Sequence, residues 1–222
     1  METAKKKFLH ELLHAIKKLA QKLNRNQYAY LSEEDIRSRL CSKLTRKNKS
    51  KIGLEDEQKC KRHTDAILTE ARILDKNKKS NLIDILFYYT PKNKFIPIKF
   101  HDGKVTFFGK NNQCKRNIKN RIGKRILIEI KIGRKESRTS KKIIERIYSD
   151  VNKRKKLDFY RCYILYVDRE NKLNDELKKQ VKVLTRKNKK FRIIYLGCAR
   201  KGKKLTKYLF YKGKLTKELS ER

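Results

Sequence analysis

The chain has 222 residues and carries 63 Lys and Arg against 24 Asp and Glu, a formal charge of +39. Hydrophobic residues are 37% of the chain and charged residues 39%, yet the length suits one domain with a core and an appendage. Self-repulsion on this scale calls for a polyanion, with nucleic acid the expected partner, while no stretch approaches the ~18 apolar residues that would span a bilayer. The N-terminus also lacks the apolar run of a signal peptide.

Leu9, Leu12, Ile16, Leu19 and Leu23 fall at heptad spacing and predict a Lys-rich helix from about Phe8 to Leu23. This seam either packs on the remainder of the chain or contributes to a homodimer. His10 and His14 have the i,i+4 spacing of a metal pair, but lack an acidic neighbour in the right place and read as solvated. Ser32 is an N-cap for a second helix, with Asp35 placed as in a capping box. Glu33, Glu34 and Asp35 suit the positive end of that helix. Ile36, Leu40 and Leu44 define its buried stripe. Glu33 lies on or beside the stripe, whereas Glu34 is turned about 100° away.

Residues 46–61 are polar and read as a loop. The segments 66–73 and 82–89, separated by turn residues, predict a hairpin. The second strand is apolar on both faces and so is expected to be central. Asp84 sits in its middle, where a bare carboxylate is costly unless it is protonated, ion-paired or bound to metal. Phe95–Phe100 and Val105–Phe108 flank His101-Asp102-Gly103 and predict another hairpin. The basic stretch 109–125 offers Lys110, Lys115, Arg116, Lys119, Arg121, Lys124 and Arg125 as phosphate contacts.

In Ile126–Ile132 every even position is Ile and the odd positions are Leu127, Glu129 and Lys131. Strand alternation puts the isoleucines on one face and Glu129 and Lys131 on the other. A helix from Lys141 to about Leu157 follows, capped by Thr139-Ser140, with Ile143, Ile144, Ile147 and Val151 facing inward. Then come a strand at 159–167, a helix at 173–184 and a strand at 191–198. The basic tail holds a last short strand near Tyr208, Phe210 and Tyr211 and a final helical turn. The order predicts an α/β domain with a mixed central sheet flanked by helices. The five cysteines are scattered, with no CxxC spacing, and read as reduced thiols of a cytoplasmic protein.

A helix with Glu33, a strand with Asp84, then Glu129-x-Lys131 on the next long strand, followed by a helix and a strand, resembles the PD-(D/E)XK nuclease superfamily. Ser32-Glu33-Glu34-Asp35-Ile36-Arg37 resembles the first helix of its restriction-type members and favours Glu33 over Glu34. Ile83 stands where many members have Pro, and a hairpin lengthens the interval from Asp84 to Glu129. The resemblance implies a restriction-endonuclease-like domain over 31–200 with an insertion at about 91–125. Residues 1–30 form a separate basic helix and 201–222 an extension. Size and composition fit a small archaeal or archaeal-virus nuclease.

The implied activity is metal-dependent hydrolysis of DNA, selective for structure or weakly for sequence, as in Holliday-junction resolvases or restriction enzymes. Glu33, Asp84 and Glu129 would hold Mg²⁺ or Mn²⁺, with Lys131 acting beside them. Dimerisation is common among such relatives. The alternative is a non-catalytic basic nucleic-acid-binding protein in which Asp84 and Glu129 only pair with cations.

Overall fold

The computed structural model describes residues 2–26, 32–47, 51–55, 61–74, 79–89, 95–101, 104–107, 124–133, 139–157, 159–169, 173–197 and 206–217. Helices α1 (Glu2–Arg25) and α2 (Glu33–Lys47) precede strands β1 (Lys51–Glu55), β2 (Lys61–Asp65), β3 (Ile67–Leu74), β4 (Ser80–Tyr89), β5 (Phe95–His101) and β6 (Lys104–Phe107). Then follow β7 (Lys124–Ile132), α3 (Ser140–Arg154), β8 (Arg161–Asp168), α4 (Asp175–Lys187), β9 (Phe191–Gly197), β10 (Thr206–Tyr211) and β11 (Lys214–Thr216).

The strands form one sheet in the order β11-β10-β9-β8-β7-β4-β3-β6-β5-β1-β2. The seven from β11 to β3 carry the four helices, giving an α/β architecture with a mixed sheet. At its centre β7, β8 and β9 are parallel, while β4 runs antiparallel to both β3 and β7. Parallel neighbours need crossover helices, and α3 and α4 supply them. Among the described residues no helix is long and apolar enough to cross a membrane.

The isoleucine pattern of β7 fixes which helices cover which face. Ile85 lies opposite Ile128 and Phe87 opposite Ile126, so all four belong to one face. There Phe8 of α1 stacks on Phe87, with ring centroids 3.8 Å apart. Ile126, Ile128, Ile130 and Ile132 are all buried, as are Leu9, Leu12, Ile16, Leu19 and Leu23 of α1. The heptad seam is therefore covered by the chain's own sheet and by the packed α2. The dimer proposed as one use of it gains no support. On the opposite face Arg154 of α3 reaches Glu129, and α4 packs beside α3.

The caps form as their residues dictate. Ser32 Oγ accepts from the Asp35 N–H at 3.1 Å and Asp35 Oδ2 accepts from the Ser32 N–H at 3.1 Å, a reciprocal capping box. Thr139 caps α3 by accepting from the Lys142 N–H at 3.3 Å.

Two sequence expectations are corrected. The loop at 46–61 holds strand β1, which pairs with both β2 and β5; its two apolar residues, Ile52 and Leu54, are too few to announce a strand. The extension after 201 includes β10 and β11, which continue the sheet from β9. β10 is the last short strand expected near Tyr208, Phe210 and Tyr211, and it forms a hairpin with β11; a final helical turn beyond residue 217 lies outside the described residues. The hairpin's turn residues Lys212 (φ 49°) and Gly213 (φ 77°) both lie in the left-handed region that a two-residue type I′ turn demands.

Candidate active site

β4 separates from β7 at Asp84. The described ladder between them runs from Tyr89–Lys124 to Ile85–Ile128 and stops there. The backbone donors of β7 beyond that point need other acceptors. Carboxylates provide them: Asp84 Oδ2 accepts from the Ile130 N–H at 2.8 Å, and Glu33 Oε1 accepts from the Ile132 N–H at 3.2 Å. Two acids separated by 51 positions are thus drawn to one strand end by unsatisfied main-chain donors.

Lys131 stands between them. Its Nζ donates to the Ile130 carbonyl at 3.0 Å, and lies 3.8 Å from Glu33 Oε2 and 3.9 Å from Glu129 Oε2. Glu33, Asp84, Glu129 and Lys131 are therefore brought together, as the sequence expects. Asp84 is not bare: Arg37, one turn after Glu33, donates from Nη1 to Asp84 Oδ1 at 3.3 Å and places Nη2 3.0 Å from Glu70 Oε1. Burial lowers the affinity of Lys131 for its proton, but the charges of Asp150, Glu129, Glu33 and Asp84 outweigh it and raise the pKa.

The environment of Glu129 is drier. Its side chain is 2% exposed, and Arg154 Nε lies 2.7 Å from Oε1. Both of those atoms are buried, and at this distance the two charges form a close ion pair. Burial, aided by the Asp84 charge, pushes the Glu129 carboxyl up to about 7 against the pull of Arg154 and Lys131. Asp150, one turn before Arg154, is also buried; desolvation raises its pKa while Lys131 and Arg154 oppose the rise.

Sequence reasoning missed Arg37's partner role, Glu70, Asp150 and Arg154. The signal for the last two was present: Ile143, Ile147, Asp150 and Arg154 repeat at 4-3-4 spacing, so acid and base occupy the inner stripe of α3. Glu70 has φ 50°, an uncommon backbone for a residue with a side chain, and lies between the Thr69–Ile85 and Ala71–Ile83 pairs, across from Asp84. Among the proposed phosphate contacts, Lys110, Lys115, Arg116, Lys119 and Arg121 lie outside the described residues. Lys124 begins β7, and Arg125 is buried with its guanidinium 5.1 Å from the Tyr88 ring centroid. Cys162 is wholly buried with its pKa raised by desolvation, which makes it an inert thiol.

The donor set suits a hard cation in its chemistry, since Glu33, Asp84 and Glu129 offer only carboxylate oxygens and the charge of Asp84 disfavours ionised Glu129. In the arrangement described, however, no three His, Cys, Asp or Glu side chains are grouped closely enough to hold a metal ion among the described residues. Arg37 and Arg154 supply the countercharge to Asp84 and Glu129. No protein-family model matches this chain, and comparison with curated proteins and with solved structures likewise gives no match.

Proposed function

We propose that the chain is a metal-dependent DNA nuclease of the PD-(D/E)XK kind. The observation that carries this reading is the convergence of Glu33 from α2, Asp84 from β4 and Glu129 and Lys131 from β7 around one ammonium, with two carboxylate oxygens within 4 Å of it. Glu33, Asp84 and Glu129 are not grouped as a metal site in the arrangement described; released from Arg37 and Arg154, these carboxylates would hold Mg²⁺ or Mn²⁺, which would lower the pKa of a bound water and polarise a phosphoryl oxygen. Lys131, kept protonated by its acidic neighbours, orients the attacking water or stabilises the charge that grows on the phosphate. The water oxygen bonds to phosphorus and gives up a proton to solvent, the bond to the leaving sugar oxygen breaks, and that oxygen takes up a proton from solvent. Arg154 fixes Oε1 of Glu129 and so leaves Oε2 directed toward Lys131.

The excess of cations gives affinity through phosphates without base readout, which favours a structure-selective or weakly sequence-selective enzyme. One observation favours the competing reading of a non-catalytic DNA-binding protein: Arg37 and Arg154 already pair with Asp84 and Glu129. Supercoiled plasmid incubated with Mg²⁺ or with EDTA separates the two. Metal-dependent nicking that Glu129→Ala and Lys131→Ala abolish supports the nuclease. A mobility shift without cut products, unchanged by EDTA, supports the binder.

A further inference from the structure

Lys18 and Lys22 stand one turn apart on α1, and Arg39 and Lys43 one turn apart on α2, two helices that pack together. Lys18, Lys22 and Arg39 are exposed and Lys43 is half-buried. The pKa of Lys43 is lowered by burial and then by the charges of Lys18, Lys22 and Arg39. Of the acids on the two helices, Glu33, Glu34 and Asp35 are confined to the first turn of α2, and Glu11 of α1 lies about two turns before Lys18. Four like charges across one seam repel, and this arrangement destabilises the free protein.

The spacing says what would relieve it. Residues four apart rise ~6 Å along a helix, and packed helix axes lie about 8–10 Å apart. A two-by-two array of that size is too wide for one small anion and fits a run of backbone phosphates. An anionic membrane suits it less, because the apolar side chains of α1 among the described residues are all buried. Arg39 is about 200° around α2 from Arg37, so the seam faces away from the candidate active site.

We propose that the α1–α2 seam, through Lys18, Lys22, Arg39 and Lys43, is a docking surface for the phosphate backbone of duplex DNA, separate from the candidate active site. The choice of DNA rests on the nuclease reading; the charge geometry does not. The test compares the full chain bearing Lys18→Gln, Lys22→Gln, Arg39→Gln and Lys43→Gln with a control bearing Lys179→Gln, Lys187→Gln, Lys189→Gln and Lys207→Gln. The control positions are exposed and lie on α4 and nearby strand ends.

Duplex binding is titrated across a salt series in EDTA, so that cleavage plays no part, and melting temperature is measured alongside. The seam variant is expected to lose affinity on the order of tenfold, with its log–log salt slope shallower by up to ~0.9 for each cation removed. Its melting temperature stays level or rises as the repulsion is removed, and the control loses distinctly less affinity. Equal losses in the two variants would overturn the proposal, as would a loss of binding accompanied by a lower melting temperature. Unchanged duplex binding with loss of binding to phosphatidylserine vesicles or to single-stranded RNA would assign the seam to that partner instead. A failed nicking assay with the seam result intact would remove the nuclease reading and leave the seam standing.

Discussion

Two helices bring the same device to β4 and β7. On α2 an acid, Glu33, is followed one turn later by Arg37; on α3 Asp150 is followed one turn later by Arg154. Each arginine pairs with a strand carboxylate, and each acid acts on Lys131. Water separates the two arms. Arg37 divides itself between Asp84 and Glu70, and the Glu70 side chain is 56% exposed. Arg154 serves a Glu129 that is 2% exposed. The same residue pattern therefore yields a part-buried, divided network on the α2 side, where Arg37 and Asp84 are each 15% exposed, and a dry, fixed pair on the α3 side.

The largest expected effect tests that contrast directly. Arg154→Met should destabilise the protein by about 3–5 kcal/mol, because it strands the buried Glu129, whereas Arg37→Met should cost less, about 1–2 kcal/mol, because Asp84 keeps the Ile130 N–H and some access to water. Equal losses in chemical denaturation would break the comparison. Glu129→Ala and Lys131→Ala should lower the Mg²⁺-dependent nicking rate by about 10²–10³-fold while mobility shifts persist, since DNA affinity is spread over many cations. Asp84→Asn should behave in the same way. Retained nicking in the Glu129 and Lys131 variants would end the active-site assignment.

The dry arm also has a pH signature. Folding raises the Glu129 carboxyl from its ordinary 4.5 to about 7. Between those values the folded state binds more protons than the unfolded one, so stability falls as pH climbs through that range, by about 3 kcal/mol in total. Glu129→Gln removes the slope. In EDTA, the stability difference between this variant and wild type should shift in the variant's favour from pH 5 to pH 8; parallel curves would contradict the assignment. The smallest effects concern the caps. Ser32→Ala and Thr139→Ala should each cost about 1 kcal/mol. Only the first should also slow nicking, because Glu33 adjoins Ser32 while Asp150 lies three turns from Thr139; matched effects on activity would erase the distinction.

The contrast also explains what could be read in the sequence. Glu129 and Lys131 were legible because alternation with four isoleucines assigns them to a face without any tertiary information. Asp84 stood out as the one charge in an apolar strand, and the capping box at Ser32 announced its helix. Asp150 and Arg154 stayed hidden because an amphipathic helix with polar neighbours tolerates charges, and only the 4-3-4 stripe reveals that these two point inward. Glu70 was not legible at all, since its position depends on a backbone angle that arises where β3 meets β4. The short strands β1 and β11 owe their form to pairing partners more than to their own residues.

The sheet ends on both sides in a short strand. At one border stands β11, three residues long with Lys214 exposed; at the other stands β2, with the sequence Lys61-Arg62-His63-Thr64-Asp65. A border strand with free backbone donors and acceptors invites a neighbouring molecule to add itself, rung after rung. Here the invitation is withdrawn by brevity on one side and charge density on the other. Fibrous growth and strand exchange are thereby discouraged at both borders.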